Sequence, residues 1–209
     1  QSAHVGRAIG LMYTHAHIRY CEALALLGRD TLGEELLRIS PVGQFSRLST
    51  SEPRQRNCYF ASSDADFPDR YTAARQWDRL RAGSPHPVGV RGGWRVYSSG
   101  PGIYIRQTVQ HLFGVQIHAD SVVFDPVLST HDDGVTLRMA LFGRMRTLRY
   151  HVVPGGLPVE VSVHGERILG DEIPLPYRTG GVRVSSGALG SADIIDITVG
   201  CDRGPHESK

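Results

Sequence analysis

The sequence has few of the features that mark the more specialised classes of protein. It contains only three cysteines, Cys21, Cys58 and Cys201, and their spacing fits no metal site. No apolar run approaches the roughly 18 residues of a membrane-spanning helix. The 23 basic residues nearly balance the 21 acidic ones, so no broad positive surface is expected. We therefore expect a protein without disulfides in the cytoplasm, with no membrane and no nucleic acid as partners.

The remaining composition is that of a globular protein, with 40% hydrophobic and 21% charged residues. At about 150 residues per domain, 209 residues correspond to roughly 1.4 domains. The chain begins with Gln1 rather than Met, and no export signal is visible. We therefore expect a fragment that spans two domains.

Helical periodicity dominates up to about residue 113. The predicted elements are a helix over Tyr13–Leu27 ended by Gly28, a short helix capped by Asp30 and Thr31, an irregular loop over 40–68, a helix over Asp69–Arg81 and a helix over Pro101–Phe113.

After Gly114 the pattern alternates with a period of two, which is typical of half-buried strands. About six strands are predicted, at 115–117, 122–124, 137–150, 159–163, 182–184 and 193–199. Asp133-Gly134, Pro154-Gly155-Gly156 and Gly180-Gly181 are predicted to be turns. The pattern indicates an antiparallel β-sandwich, here expected to be jelly-roll-like.

A turn with the sequence Tyr97-Ser98-Ser99-Gly100-Pro101-Gly102 precedes the last predicted helix. Because proline favours the first helical position, Gly100 is the expected cap. Free N–H groups at such a helix start, together with a serine hydroxyl, suit an anion. The alternative is that Ser99 only caps the helix, as serine does at many helix starts without a ligand.

The start of the first helix offers a second candidate anion site. His15 and Arg19 are four residues apart and share a helix face, whereas His17 points elsewhere. His15 and His17 cannot converge on one zinc ion from this spacing. A histidine bonded only to nearby backbone is the alternative. The acidic run Ser62–Asp69 lacks the central glycine and closing glutamate of a calcium loop, so no metal site is expected.

Several motifs follow one another in a distinctive order. They are Gly10-Leu11-Met12-Tyr13-Thr14-His15-Ala16, a helix, a loop with Glu52-Pro53, Gly92-Gly93-Trp94-Arg95-Val96-Tyr97-Ser98-Ser99-Gly100, Tyr104–Phe113 and Gly114-Val115. Together they resemble the end of the catalytic domain of glycoside hydrolase family 94. This family contains inverting phosphorylases of β-linked glucosides. The resemblance implies that residues 1–113 are the last helices of an (α/α)6 barrel, that 114–200 form the C-terminal β-sandwich and that 201–209 form a tail.

The resemblance also implies a chemistry, in which inorganic phosphate attacks the anomeric carbon while an aspartic acid protonates the leaving oxygen. That aspartate is expected upstream of Gln1, so the fragment alone holds no catalytic residue. The family's phosphate-binding histidine matches His15, and its Thr-Gly pair matches Ser99-Gly100. Ser98 and Arg19 are further candidate contacts to phosphate or sugar. Phosphate is a co-substrate, and neither an organic cofactor nor a metal is implied.

Within the family, the loop Asn57–Asp64 and the turn Tyr97–Gly102 look most like the branch that cleaves cellobionic acid, a β-1,4-linked aldonic acid, to give α-glucose 1-phosphate. The expected partners are a small sugar and phosphate, and the sequence leaves a homodimer open. Two alternatives remain: a non-catalytic carbohydrate-binding sandwich with a helical adaptor, and an inverting glycoside hydrolase on the same barrel. The first would need exposed aromatic platforms, which are scarce after residue 114.

Overall fold

A computed structural model of the chain describes residues 14–39, 67–80, 83–89 and 99–201. Cys58 and most of the predicted loop over 40–68 lie outside these residues. The chain divides into two compact units. The helical unit comprises Gln1–Tyr20 and Glu34–Tyr104, and the sandwich unit comprises Cys21–Gly33 and Ile105–Lys209. The predicted domain boundary at residues 113 and 114 stays a prediction.

The predicted helices form, with some differences at their ends. They are α1 (Thr14–Leu26), α2 (Leu32–Ile39), α3 (Arg70–Arg75), a 3-10 helix (Trp77–Leu80), α4 (Ser99–Gln107) and a π-helix (Thr108–Leu112). No helix among the described residues is long and apolar enough to cross a membrane. The described helices do not by themselves form an (α/α)6 barrel, so the assignment of residues 1–113 to such a barrel stays a prediction.

Helix α1 ends as its sequence predicts. Gly28 has a positive φ of 65°, which a residue without a side chain adopts at little cost. Its N–H donates to the carbonyl of Ala25, and the N–H of Arg29 donates to the carbonyl of Leu24. This pair of bonds is a Schellman motif, so Gly28 is confirmed as the residue that stops the helix.

Two other helices differ from their predicted bounds. Asp69 caps α3 by accepting from the N–H groups of Tyr71 and Thr72, but the α-helix ends at Arg75, well short of Arg81. The helix predicted to start at Pro101 starts at Ser99 instead. Proline is tolerated there because N–H groups in the first helical turn have no partner within the helix.

Between Gly114 and Cys201, where the structure describes every residue, there are nine strands rather than the six predicted. They are β1 (Val115–Ile117), β2 (Ser121–Phe124), β3 (Thr136–Leu141), β4 (Arg144–Val153), β5 (Glu160–Val163), β6 (Glu166–Ile168), β7 (Asp171–Pro174), β8 (Thr179–Ser185) and β9 (Ile194–Gly200). They form a four-stranded sheet in the order β1-β2-β8-β7 and a five-stranded sheet in the order β3-β4-β9-β5-β6. The fold is therefore mixed α and β with a β-sandwich.

Three details of the predicted sandwich were wrong. The sheets are not wholly antiparallel, because β4 and β9 pair in parallel. The single strand predicted over 137–150 is a hairpin, with Phe142 and Gly143 at positive φ between its strands. Gly180 and Gly181 lie inside β8 rather than in a turn. The backbone of neighbouring strands passes so close to both positions that a side chain would not fit there.

One apolar core lies between the two sheets. Buried side chains of both sheets share it, among them Phe124 and Val184 of the first sheet and Leu148, Tyr150 and Ile197 of the second. Val109, Leu112 and Phe113, from the π-helix and the residue after it, pack against the same core. The sandwich unit therefore includes the end of the helix that leads into β1.

Candidate functional site

The predicted phosphate-binding residues occur in the first turns of two helices. His15 is the second residue of α1, and Ser99 and Gly100 are the first two residues of α4. Arg19 follows His15 by one turn and is exposed. Ser98 lies outside the described residues, as do the side chains of His15 and Ser99. The assignment of His15, Ser98, Ser99, Gly100 and Arg19 to a phosphate site therefore stays a prediction.

The observed start of α4 changes the role expected for Gly100. It is a helical residue and not the cap, since the helix already begins at Ser99. The backbone N–H groups of the first turn belong to Ser99, Gly100 and Gly102, because Pro101 has none. Such groups have no partner within the helix and carry its positive dipole end. These N–H groups are the ones that the predicted anion site would use.

An apolar contact joins α1 and α4 within the helical unit. Ile18, which is almost fully buried, packs against Ile103 and Tyr104. The hydroxyl of Tyr104 donates to the carbonyl of Leu36 in α2 at 3.2 Å. His15 precedes Ile18 by three residues, and Gly100 precedes Ile103 by three. Each candidate residue is thus one turn before the point where its helix meets the other.

His17 has a partner on α2 that the sequence did not reveal. Its Nε2 lies 2.8 Å from a carboxylate oxygen of Glu35, whose other oxygen pairs with Arg38 at 3.0 Å. The rings of His17 and Tyr20 meet edge to face. His17 therefore has a structural contact within the helical unit, in agreement with its exclusion from the predicted site.

The sandwich unit contains a buried ion pair at the end of α1. Both terminal nitrogens of Arg178 donate to the carboxylate of Asp125 at 2.7 Å, and its Nε donates to the carbonyl of Ala25 at 3.1 Å. Both side chains of the pair are almost fully buried. The sequence gave no signal for this arrangement, because 153 residues separate Arg178 from Ala25.

Two polar groups near the π-helix are buried without a hydrogen-bond partner among the described residues. They are the side-chain oxygen of Gln107 and the Nε2 atom of His111. Burial lowers the pKa of His111, an effect that the carboxylate of Glu22 opposes and the cation of Arg106 adds to. The neutral imidazole is therefore the favoured form at this position.

Some residue types with potential chemistry have structural roles. Cys21 is fully buried and Cys201 partly buried, and neither forms a disulfide within the described residues. Within the described residues, no three histidine, cysteine or acidic side chains converge as a metal site would require. In the sandwich, over residues 114–201, Tyr177 alone presents an exposed aromatic ring, since Phe124 and Tyr150 are buried and Phe142 is partly so. The row of rings typical of a carbohydrate-binding face is not present there.

Comparison with known proteins defines the class of this sandwich. Residues 114–199 match the family model of the glycoside phosphorylase C-terminal domain. The chain is also 39% identical over 180 residues to a 1,2-beta-oligoglucan phosphorylase from Listeria innocua serovar 6a. The aligned region covers 86% of this chain and 16% of that protein.

Residues 114–199 therefore match a glycoside phosphorylase C-terminal domain, and the two matches together support a C-terminal fragment of glycoside hydrolase family 94. The resemblance stated from its motifs is confirmed. The similar protein is named for β-1,2-linked oligoglucans, so the match does not extend to the cellobionic acid branch.

Proposed function

We propose that this chain is part of an inverting glycoside phosphorylase that cleaves a β-linked glucan with inorganic phosphate to give α-glucose 1-phosphate. The observation that carries the proposal is the 39% identity to a phosphorylase over 180 residues, which extends beyond the sandwich into the helical segment. A phosphate oxygen forms the new bond to the anomeric carbon as the glycosidic bond breaks. A carboxylic acid gives its proton to the leaving oxygen. Phosphate is the co-substrate, and the reaction requires no organic cofactor.

The substrate we propose is a β-1,2-linked gluco-oligosaccharide. The similar phosphorylase, which is named for that class, supports it. Cellobionic acid is the second candidate, supported by the motifs around residues 57–64 and 97–102. The two differ in linkage and in the charge of the leaving group, so an assay with both compounds separates them.

The phosphate site we propose uses the first turns of α1 and α4. The contact of Ile18 with Ile103 and Tyr104 supports it, since each candidate residue lies about one turn before that contact. His15, Ser99 and Gly100 are the proposed donors, with Ser98 and Arg19 as further contacts.

The remaining expectations form part of the same proposal. Residues 1–113 contribute the last helices of an (α/α)6 barrel, and the general acid is supplied from outside this chain. The enzyme is cytoplasmic and binds a small sugar, and a homodimer is its expected assembly if it associates. Because the chain covers 16% of the similar phosphorylase, the experiments below use the intact protein that contains it.

The test measures glucose 1-phosphate released from β-1,2-gluco-oligosaccharide and from cellobionic acid, with and without phosphate. We expect phosphate-dependent release from the β-1,2-linked substrate. Replacement of His15 by Ala should raise the KM for phosphate about 10- to 100-fold, since a charge-assisted hydrogen bond contributes roughly 1.5–3 kcal/mol. His118→Ala, at an exposed position after β1, is the matched control. Release of free glucose without phosphate would instead support a hydrolase.

A further inference from the structure

A partly buried histidine, His111, lies in the π segment, the stretch of residues 107–113 that leads into the sandwich. The π-helix itself spans Thr108–Leu112, and the N–H of Phe113 donates to the carbonyl of Thr108 at 3.0 Å. Helices of this kind are rare, and in other proteins they occur frequently at functional sites. None of the residues proposed to bind phosphate belongs to the π segment, so the phosphate site does not account for it.

Two polar atoms of the π segment are buried without a hydrogen-bond partner among the described residues. They are the side-chain oxygen of Gln107, a residue with only 2% of its surface exposed, and the Nε2 atom of His111. The two residues are four positions apart, a spacing that places side chains on the same face of a helix. Burial of a polar group without a partner is unfavourable, because water no longer satisfies it. The closed segment therefore carries an energetic cost that exposure to water removes.

Other contacts hold the π segment on the sandwich. Val109, Leu112 and Phe113 pack against the apolar core between the sheets. The hydroxyl of Tyr150 in β4 donates to the carbonyl of Phe113 at 2.8 Å, and the rings of these two residues are 5.5 Å apart. Opening of the segment exposes these groups. The closed and open states are thus separated by contributions of opposite sign.

Four charged residues act on the imidazole of His111, each from a different element: Glu22 of α1, Arg106 of α4, Asp125 after β2 and Arg178 before β8. All four belong to the same compact unit as His111. Strand β1, which follows the π segment, contains no ionisable residue. Tyr150 of β4 stays neutral, since burial raises the pKa of its hydroxyl.

These charges do not compensate a positive ring at residue 111. Arg178 and Asp125 neutralise each other through two hydrogen bonds of 2.7 Å. Arg106 repels an imidazolium and Glu22 attracts it, so these two charges oppose each other. Burial has the largest effect and lowers the pKa of His111. The closed segment therefore holds a neutral ring, whereas a ring exposed to water binds a proton at the ordinary pKa of 6.5.

We propose that His111 is a proton-sensitive switch that releases the π segment from the sandwich core at mildly acidic pH. In the closed conformation the Nε2 atom has no partner among the described residues, and protonation adds a positive charge and an N–H donor to the ring. Opening gives both His111 and Gln107 access to water. The switch does not depend on the proposed function, because it uses none of the phosphate-binding candidates.

Hydrogen exchange of the intact protein between pH 7.5 and 5.0 tests the switch. The protection of the π segment, corrected for the direct effect of pH on exchange chemistry, reports how often the segment opens. Because opening allows the ring to bind a proton, we expect protection to fall by up to about tenfold between pH 7.5 and 5.5. Strand β9, residues 194–200, is the internal reference and should be better protected at every pH.

Three variants separate proton binding from other causes. His111→Gln retains a polar side chain that does not titrate, so the protection of its π segment should be independent of pH. Gln107→Leu removes the other buried atom without a partner, and we expect higher protection with the same dependence on pH. His118→Gln, at an exposed position, is the matched control and should behave like the unaltered protein.

Three results would overturn the switch. The first is protection of the π segment that stays constant from pH 7.5 to 5.0 in the unaltered protein. The second is a dependence on pH that persists in His111→Gln, and if that variant does not fold, His111→Asn takes its place in the comparison. The third is equal protection of the π segment and β9, which would show that the segment opens only with the whole sandwich.

Discussion

The two ends of α1 are held by different kinds of contact. In the helical unit, the first half makes an apolar contact through Ile18, and His17 lies against Glu35 at partial exposure. In the sandwich unit, the second half ends in a Schellman motif bonded to a buried arginine–carboxylate pair. Loss of one partner from a buried ion pair such as Arg178–Asp125 costs about 3–5 kcal/mol.

The two ends of α1 also differ in how their backbone groups are hydrogen-bonded. Carbonyls of its last turn accept hydrogen bonds from other groups of the protein. The N–H groups of its first turn, in contrast, have no partner within the helix. The same holds for α4 with its π-helix, which ends at the carbonyl that Tyr150 binds. The C-terminal ends of both helices are therefore held by hydrogen bonds, and the anion site at their first turns stays a prediction.

Among the variants considered, Gly181→Ala is expected to lower the stability of the sandwich unit most. A Cβ at residue 181 would overlap the carbonyl oxygen of Phe124 and crowd the Cα and Cβ of Asp125. Because backbone atoms cannot move aside cheaply, we expect the free energy of unfolding to fall by about 4 kcal/mol or more. Gly187→Ala is the control, since open space surrounds that position. Equal midpoints of urea unfolding for the two variants would show that residue 181 is not packed as closely against Phe124 and Asp125 as the structure indicates.

Much of the sandwich could be predicted from its alternating pattern. Burial of Val115, Val122, Phe124 and Val184 follows from the period of two, because one face of each strand must meet the core. The pattern missed β6 and β7, since their seven residues are mostly exposed and have little apolar alternation. It also could not show that β4 pairs in parallel with β9, because pairing depends on strands distant in sequence.

The candidate site could be predicted only in part. The motifs around His15 and Ser99 are local, and the structure has both residues in the first turns of helices. Arg178, Asp125 and Tyr150 carry no such signal, because each acts on a carbonyl or side chain at least 37 residues away. Patterns within one helix are enough to predict candidate phosphate donors. Contacts between elements that are distant in sequence become visible only in the folded structure.

Truncation of a buried side chain is expected to cost less stability in the helical unit than in the sandwich unit. Leu148 and Ile18 are both almost fully buried, but Leu148 belongs to the large sandwich core, and the described neighbours of Ile18 are the partly buried Ile103 and Tyr104. Leu→Ala in a core costs about 2–5 kcal/mol, and the cost depends on how far the site collapses. We expect Leu148→Ala near the upper limit and Ile18→Ala near the lower, measured by urea unfolding. A larger loss for Ile18→Ala would reverse the comparison.

The smallest expected effect concerns His111, which lies in the π-helix on the sandwich side. Burial lowers its pKa below the ordinary value of 6.5, so the folded protein favours the neutral ring. The unfolded chain then binds more protons than the folded one as the pH falls below about 6.5. This contribution to stability is complete above that pH and is lost as the pH falls through the lower, folded-state pKa.

We expect the free energy of unfolding to decrease between pH 7.5 and the folded-state pKa, and His111→Gln to make that decrease shallower. The exposed His118→Gln variant should retain the full decrease. A pH dependence that is the same in the unaltered protein and in His111→Gln would show that the buried ring is not the group that titrates.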